Sequence, residues 1–108
     1  MRLYKRNEFG AVPAGTGLTS STVAKYFAVE GADEKTVFLI TTTKADDVVV
    51  CHGVGSVNKN DITLKIDAAG TYALTLDSAF FMDATGTNKG KIGFKGDSTT
   101  KVAVVVLP

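Results

Sequence analysis

Residues 101–107 read KVAVVVL, and this run limits the fold more than any other stretch. In an extended chain, successive side chains point to opposite faces. Val102, Val104 and Val106 then share one face, and Ala103, Val105 and Leu107 the other. Both faces are apolar, and a strand of that kind needs cover on both. The first set is expected to face a core. The second is covered either by another sheet of this chain or by a neighbouring subunit. Just before it, KIGFK (residues 91–95) and a polar GDSTT turn complete an expected terminal hairpin.

Similar runs fill the chain upstream. TVAKYFAV (22–29) is β-rich, and Lys25 among apolar neighbours marks an edge or a bend. TVFLITTT (36–43) is apolar on both faces in its middle, which predicts a central strand. A KADD turn, read as hairpin-type, leads to VVVCH (48–52), which ends at Gly53 and Gly55 where close backbone contact is expected. ITLKI (62–66) and TYALTL (71–76) alternate cleanly, with Ile62, Leu64, Ile66 and Tyr72, Leu74, Leu76 inward. Their short turn suggests a half-exposed hairpin. In DSAFFMDA (77–84) the period breaks, and Asp77 or Ser78 is placed to cap one helical turn. Phe80, Phe81 and Met82 would then plug one end of the core.

About seven short strands at roughly ten-residue spacing, without any helix-length amphipathic pattern, predict an all-β fold. The expected form is a single antiparallel β-sandwich of immunoglobulin-like type, with a partly open barrel as its competitor. The 108 residues suit one domain. Residues 1–20 stand apart: a basic and aromatic tip, Arg2, Leu3, Tyr4, Lys5, Arg6 and Phe9, precedes the glycine-rich GAVPAGTGLTSS. That composition buries too little apolar surface to offset the entropy of ordering. The expected division is a flexible N-terminal arm at 1–20 and the sandwich at 21–108.

Several function classes find no support. Twelve Lys and Arg against eleven Asp and Glu, interspersed, give a net charge of +1 and no case for nucleic acid. No apolar run approaches the roughly 20 residues of a membrane helix, and no signal-type segment follows the basic N-terminus. A single cysteine forbids an internal disulfide and favours assembly in a reducing cytoplasm. His52, the only histidine, adjoins Cys51, but neighbours on a strand point apart and cannot form a nucleophile–base pair. Cys51 is read as a buried free thiol. Asp46, Asp47, Asp61, Asp67, Asp77, Asp83 and Asp97 each sit in a turn and build no calcium loop. The expectation is no enzyme, no metal and no cofactor.

From TVFLITTT and VVVCHGVG through TYALTLDSAFFMDATG to NKGKIGFKGDSTTKVAVVVLP, about two-thirds of the chain resembles small proteins encoded among the head genes of tailed bacteriophages. Those proteins are thought to bind or decorate the capsid. The resemblance implies a non-enzymatic virion protein, made in the host cytoplasm and carried on the capsid surface. Its implied partners are the major capsid protein and neighbouring copies of the chain. The candidate partner-binding residues are Arg2, Leu3, Tyr4, Lys5, Arg6 and Phe9 on the arm, with Val105 and Leu107 on the second face of the last strand. The competing class is an immunoglobulin-like ligand- or carbohydrate-binding adhesion module. Tyr4, Tyr26 and Tyr72 are its candidate surface aromatics, without any tryptophan to strengthen it.

Overall fold

The computed structural model describes residues 15–29, 35–56 and 59–106, together with the backbone of residues 2–6. The strands in chain order are β1 (Arg2–Arg6), β2 (Thr16–Gly17), β3 (Lys25–Ala28), β4 (Thr36–Thr42), β5 (Val48–Val50), β6 (Ile62–Leu64), β7 (Gly70–Thr75), β8 (Lys91–Lys95) and β9 (Lys101–Val106). One helical turn, α1 (Ser78–Phe81), stands between β7 and β8, and its Asp77 cap accepts the Ala79 N–H. The strands form two antiparallel sheets packed as a sandwich: sheet I in the order β1-β7-β4-β9-β2, and sheet II in the order β3-β8-β5-β6.

The pairs β5–β6, β4–β7, β3–β8 and β2–β9 nest inside one another. From β2 to β9 the chain is therefore one long antiparallel ribbon, doubled back at the β5–β6 turn. Rolling that ribbon brings β9 beside β4 and β8 beside β5. This is the strand order of a jelly roll. It corrects the immunoglobulin-like expectation, in which about seven strands divide four against three.

It also corrects three expected hairpins. β4 and β5, β6 and β7, and β8 and β9 each lie in different sheets, so the connections between them arch across the core. Among the described strands, β5 and β6 are the only consecutive pair that are neighbours in a sheet. An arch needs the same short polar turn and the same alternation as a hairpin. It turns the two inward faces toward one another instead of laying them side by side. Ile92 and Phe94 on β8 thus look across at Val102 on β9, and all three are almost fully buried.

The core is built from those inward faces. Phe38 and Ile40 on β4, Val48 and Val50 on β5, Leu64 on β6, Tyr72 and Leu74 on β7, and Ile92 and Phe94 on β8 are all buried in one cluster. Each fully buried aliphatic or aromatic side chain stabilises by about 1.5–3 kcal/mol relative to exposure. Phe94 sits at the middle, edge-on to Phe27 at 5.6 Å and tilted against Phe38 at 5.3 Å. Phe81 plugs one end as expected, whereas Phe80 is exposed. The expected inward set of β9 holds only in part: Val102 is buried, Val104 packs against the core and Val106 is exposed.

The described parts of residues 1–20 belong to the sandwich, which corrects the boundary between arm and body. β1 pairs with β7 from Arg2↔Thr75 to Arg6↔Thr71, as one edge of sheet I. β2 forms the opposite edge against β9. Leu18 is 3% exposed and packs into the core, while its N–H donates to the Thr100 carbonyl at 2.9 Å. Composition weighed the glycines of this segment and missed the burial of Leu18.

Candidate functional site: an outer sheet face and a loop-end cleft

Alternation fixes what sheet I shows on its outer side. Phe38 and Ile40 point inward, so Val37, Leu39 and Thr41 point outward. Inward Leu74 leaves Ala73 outward, and inward Val102 leaves Ala103 and Val105 outward. The register sets Leu39 directly between Ala73 and Ala103, and Val37 against Val105. The result is a short apolar stripe across the three middle strands. Leu39 is 8% exposed yet lies outside the interior cluster, and the four residues around it are half-buried. At one end the stripe meets a polar row of Thr71, Thr41 and Lys101, in which the threonine hydroxyls are 3.4 Å apart. Sheet II covers the opposite side of sheet I, through Phe38 and Phe94. The second face of β9 is thus not the one covered by the other sheet.

Of the candidate partner-binding residues, Val105 lies on this outer face. Arg2, Leu3, Tyr4, Lys5 and Arg6 form β1, an edge of the same sheet. Phe9 and Leu107 lie outside the described residues.

A second feature arises where the arches β2–β3, β4–β5, β6–β7 and β8–β9 gather at one end of the sandwich. They are tied to one another. Gly96 N–H donates to Ser20 O at 3.0 Å, the Thr43 and Thr99 hydroxyls meet at 3.0 Å, and Lys65 Nζ lies 2.9 Å from Asp47. Lys44 Nζ lies 3.4 Å from Asp97 Oδ1. Asp97 Oδ2 accepts both the hydroxyl and the backbone N–H of Thr99. Those Thr99 bonds, hydroxyl first, together with Lys44 hold the Asp97 carboxyl below the usual carboxylate range. The hydrogen bond from Lys65 lowers Asp47 in the same way. Between these loops opens a cleft of about 330 Å³ lined by Thr19, Ser20, Ser21, Asp46, Asp97 and Ser98. Sequence reading placed each aspartate in its own turn. Only the rolled topology brings Asp46 and Asp97 beside the hydroxyl run at 19–21.

At the other end, Asp61 Oδ1 accepts the His52 backbone N–H at 2.9 Å and meets the ring Nδ1 at 2.6 Å. That backbone bond is the largest single influence lowering the Asp61 carboxyl, and the ring lowers it further. The pair is open to solvent, with side-chain exposures of 42% and 37%. Cys51 is half-buried rather than buried. Burial pushes its thiol up, with Lys95 as a weaker opposing influence, so the group is held in its less nucleophilic form. Asp83 is a buried carboxylate that accepts Val54 N–H at 3.0 Å and pins the loop after β5. Among the described residues, no three His, Cys, Asp or Glu side chains group as metal ligands, and no helix is long and apolar enough to cross a membrane.

Compared with protein-family models, with curated proteins and with solved structures, the chain matches none.

Proposed function

We propose that this chain is a non-enzymatic structural protein of a tailed-bacteriophage head, which binds and stabilises the capsid shell. The observation that carries the reading is the apolar stripe of Val37, Leu39, Ala73, Ala103 and Val105 on the outer side of sheet I. Sheets of antiparallel sandwiches commonly present a polar outer face to water. A flat apolar centre flanked by two alanines leaves room for another surface to approach the backbone closely. On this reading the occupant is the major capsid protein, and copies of the chain repeat over the capsid surface. The jelly-roll order supports it as a fold used in viral capsids, though folds host many functions.

Cosedimentation tests the reading. The purified protein is mixed with purified shells of the phage whose genome encodes it. The wild type pellets with shells, and Ala103→Asp and Val105→Asp stay in the supernatant while keeping a cooperative melt. Failure of the wild type to pellet, or pelleting of folded aspartate variants at wild-type levels, would overturn it. The gene's neighbours give a second check, since a major capsid gene is expected beside it.

A further inference from the structure

We propose that the loop-end cleft is a binding site for a saccharide unit. Its floor is made by the half-buried Ser20, Asp46 and Asp97, and its rim by the exposed Thr19, Ser21 and Ser98. Every lining side chain is a hydroxyl or a carboxylate. No apolar side chain lines it, so a greasy ligand gains nothing there. Two carboxylates against the single Lys44 ammonium disfavour phosphate or another anion. A bound cation finds few free ligands: Asp97 is engaged through both oxygens, by Lys44 and by Thr99. Sugar hydroxyls meet this lining differently, because they donate to carboxylates and exchange bonds with hydroxyls in either direction. The Asp46 carboxylate makes no hydrogen bond or ion pair with another described residue. It is therefore available to accept hydrogen bonds from sugar hydroxyls.

The cleft is also preorganised. Ser20 Oγ accepts the N–H groups of Thr22 and Val23 at 3.2 and 3.0 Å, which fixes the β2–β3 arch. The bonds from Gly96 to Ser20 and from Lys44 to Asp97 hold the walls together, so little loop entropy is lost on binding. At about 330 Å³ it lies near the lower bound for small-ligand pockets, the size suited to one or two sugar rings. It lies at the loop end, apart from the apolar stripe on sheet I, so both surfaces can be occupied together. The site stands on its own geometry and does not depend on the capsid reading.

The test uses the free full-length protein and no particles. Amide shifts are followed by NMR as glucose, galactose, mannose, N-acetylglucosamine and rhamnose are titrated separately. Lysine and inorganic phosphate are the comparison probes. A ligand of about a dozen heavy atoms in an open cleft gives a Kd on the order of 1 mM. The expected result is saturable shifts at residues 19–21, 46, 97 and 98 with at least one sugar. Asp46→Ala should weaken that binding about tenfold or more while the melting temperature holds. Ser98→Ala, which removes a hydroxyl that makes none of the loop bonds described above, provides the second variant and should weaken it less. No saturable shift with any sugar, shifts with lysine or phosphate alone, or unchanged affinity in folded Asp46→Ala would each overturn the assignment.

Discussion

Single residues carry this fold unequally, and the inequality is measurable. Phe94 is fully buried and touches both Phe27 and Phe38. Phe94→Ala should cost about 3–5 kcal/mol in urea denaturation, the range for truncating a core aromatic. Two glycines make a sharper contrast. A Cβ on Gly53 would lie 2.1 Å from the Met82 carbonyl oxygen, which is backbone and cannot rotate aside. On Gly93 it would meet the edge of the Tyr26 ring at 3.0 Å, which can shift, and the Ala24 Cβ at 3.2 Å, which must give by only a few tenths of an ångström. Gly53→Ala should therefore cost about 3 kcal/mol or more and Gly93→Ala about 1 kcal/mol, compared in the same denaturant series. Asp61 gives the pH dependence. Its carboxyl is lowered in the folded state, so its contribution is present above the ordinary value of about 3.9 and is lost as pH falls through the folded value. Melts from pH 6 to about pH 2 should show a shallower acid loss in Asp61→Asn. His52→Ala should keep part of the wild-type slope, because the backbone N–H of residue 52, the largest single influence on Asp61, remains.

At the scale of strands, the sequence was legible in period and blind to partner. Alternation in ITLKI and TYALTL correctly sorts Leu64, Ile66, Tyr72, Leu74 and Leu76 inward. TVFLITTT is the middle strand of sheet I, as its two apolar faces require. Yet nothing in either run says whether they lie side by side or face to face, because turn length and pattern serve both arrangements. The same ambiguity hides in residues 91–106. The first strands were harder still, since β2 has only two residues and Leu18 is one apolar side chain among glycines and hydroxyls. Truncation separates the edges. Removing residues 1–6 deletes the β1 edge alone and should lower the melting temperature modestly. Removing residues 1–18 also deletes β2 and the buried Leu18. It should destabilise by about 2–5 kcal/mol from that side chain alone, the cost of emptying a core leucine site. A melting temperature unchanged in the longer deletion would contradict the placement of Leu18 in the core.

For the molecule as a whole, both candidate surfaces follow from the rolled ribbon. Rolling sets β9 beside β4, which assembles Val37, Leu39, Ala103 and Val105 into one outer stripe. Arching at the turns between β2 and β9 gathers Asp46, Asp97 and residues 19–21 into one cleft. The sequence shows that the second face of β9 needs a covering surface, because six apolar residues in a row, 102–107, force that question. It could not show the cleft, whose lining comes from segments up to 79 positions apart, between Thr19 and Ser98. The most direct test is therefore the strand pairing itself, read from backbone proton contacts by NMR on an isotope-labelled sample. The rolled ribbon predicts that Leu39 contacts both Ala73 and Ala103, and that Phe27 contacts Ile92. Continuous ladders joining residues 62–64 to 71–75, or 91–95 to 101–106, would instead show a meander of hairpins and would remove both surfaces at once.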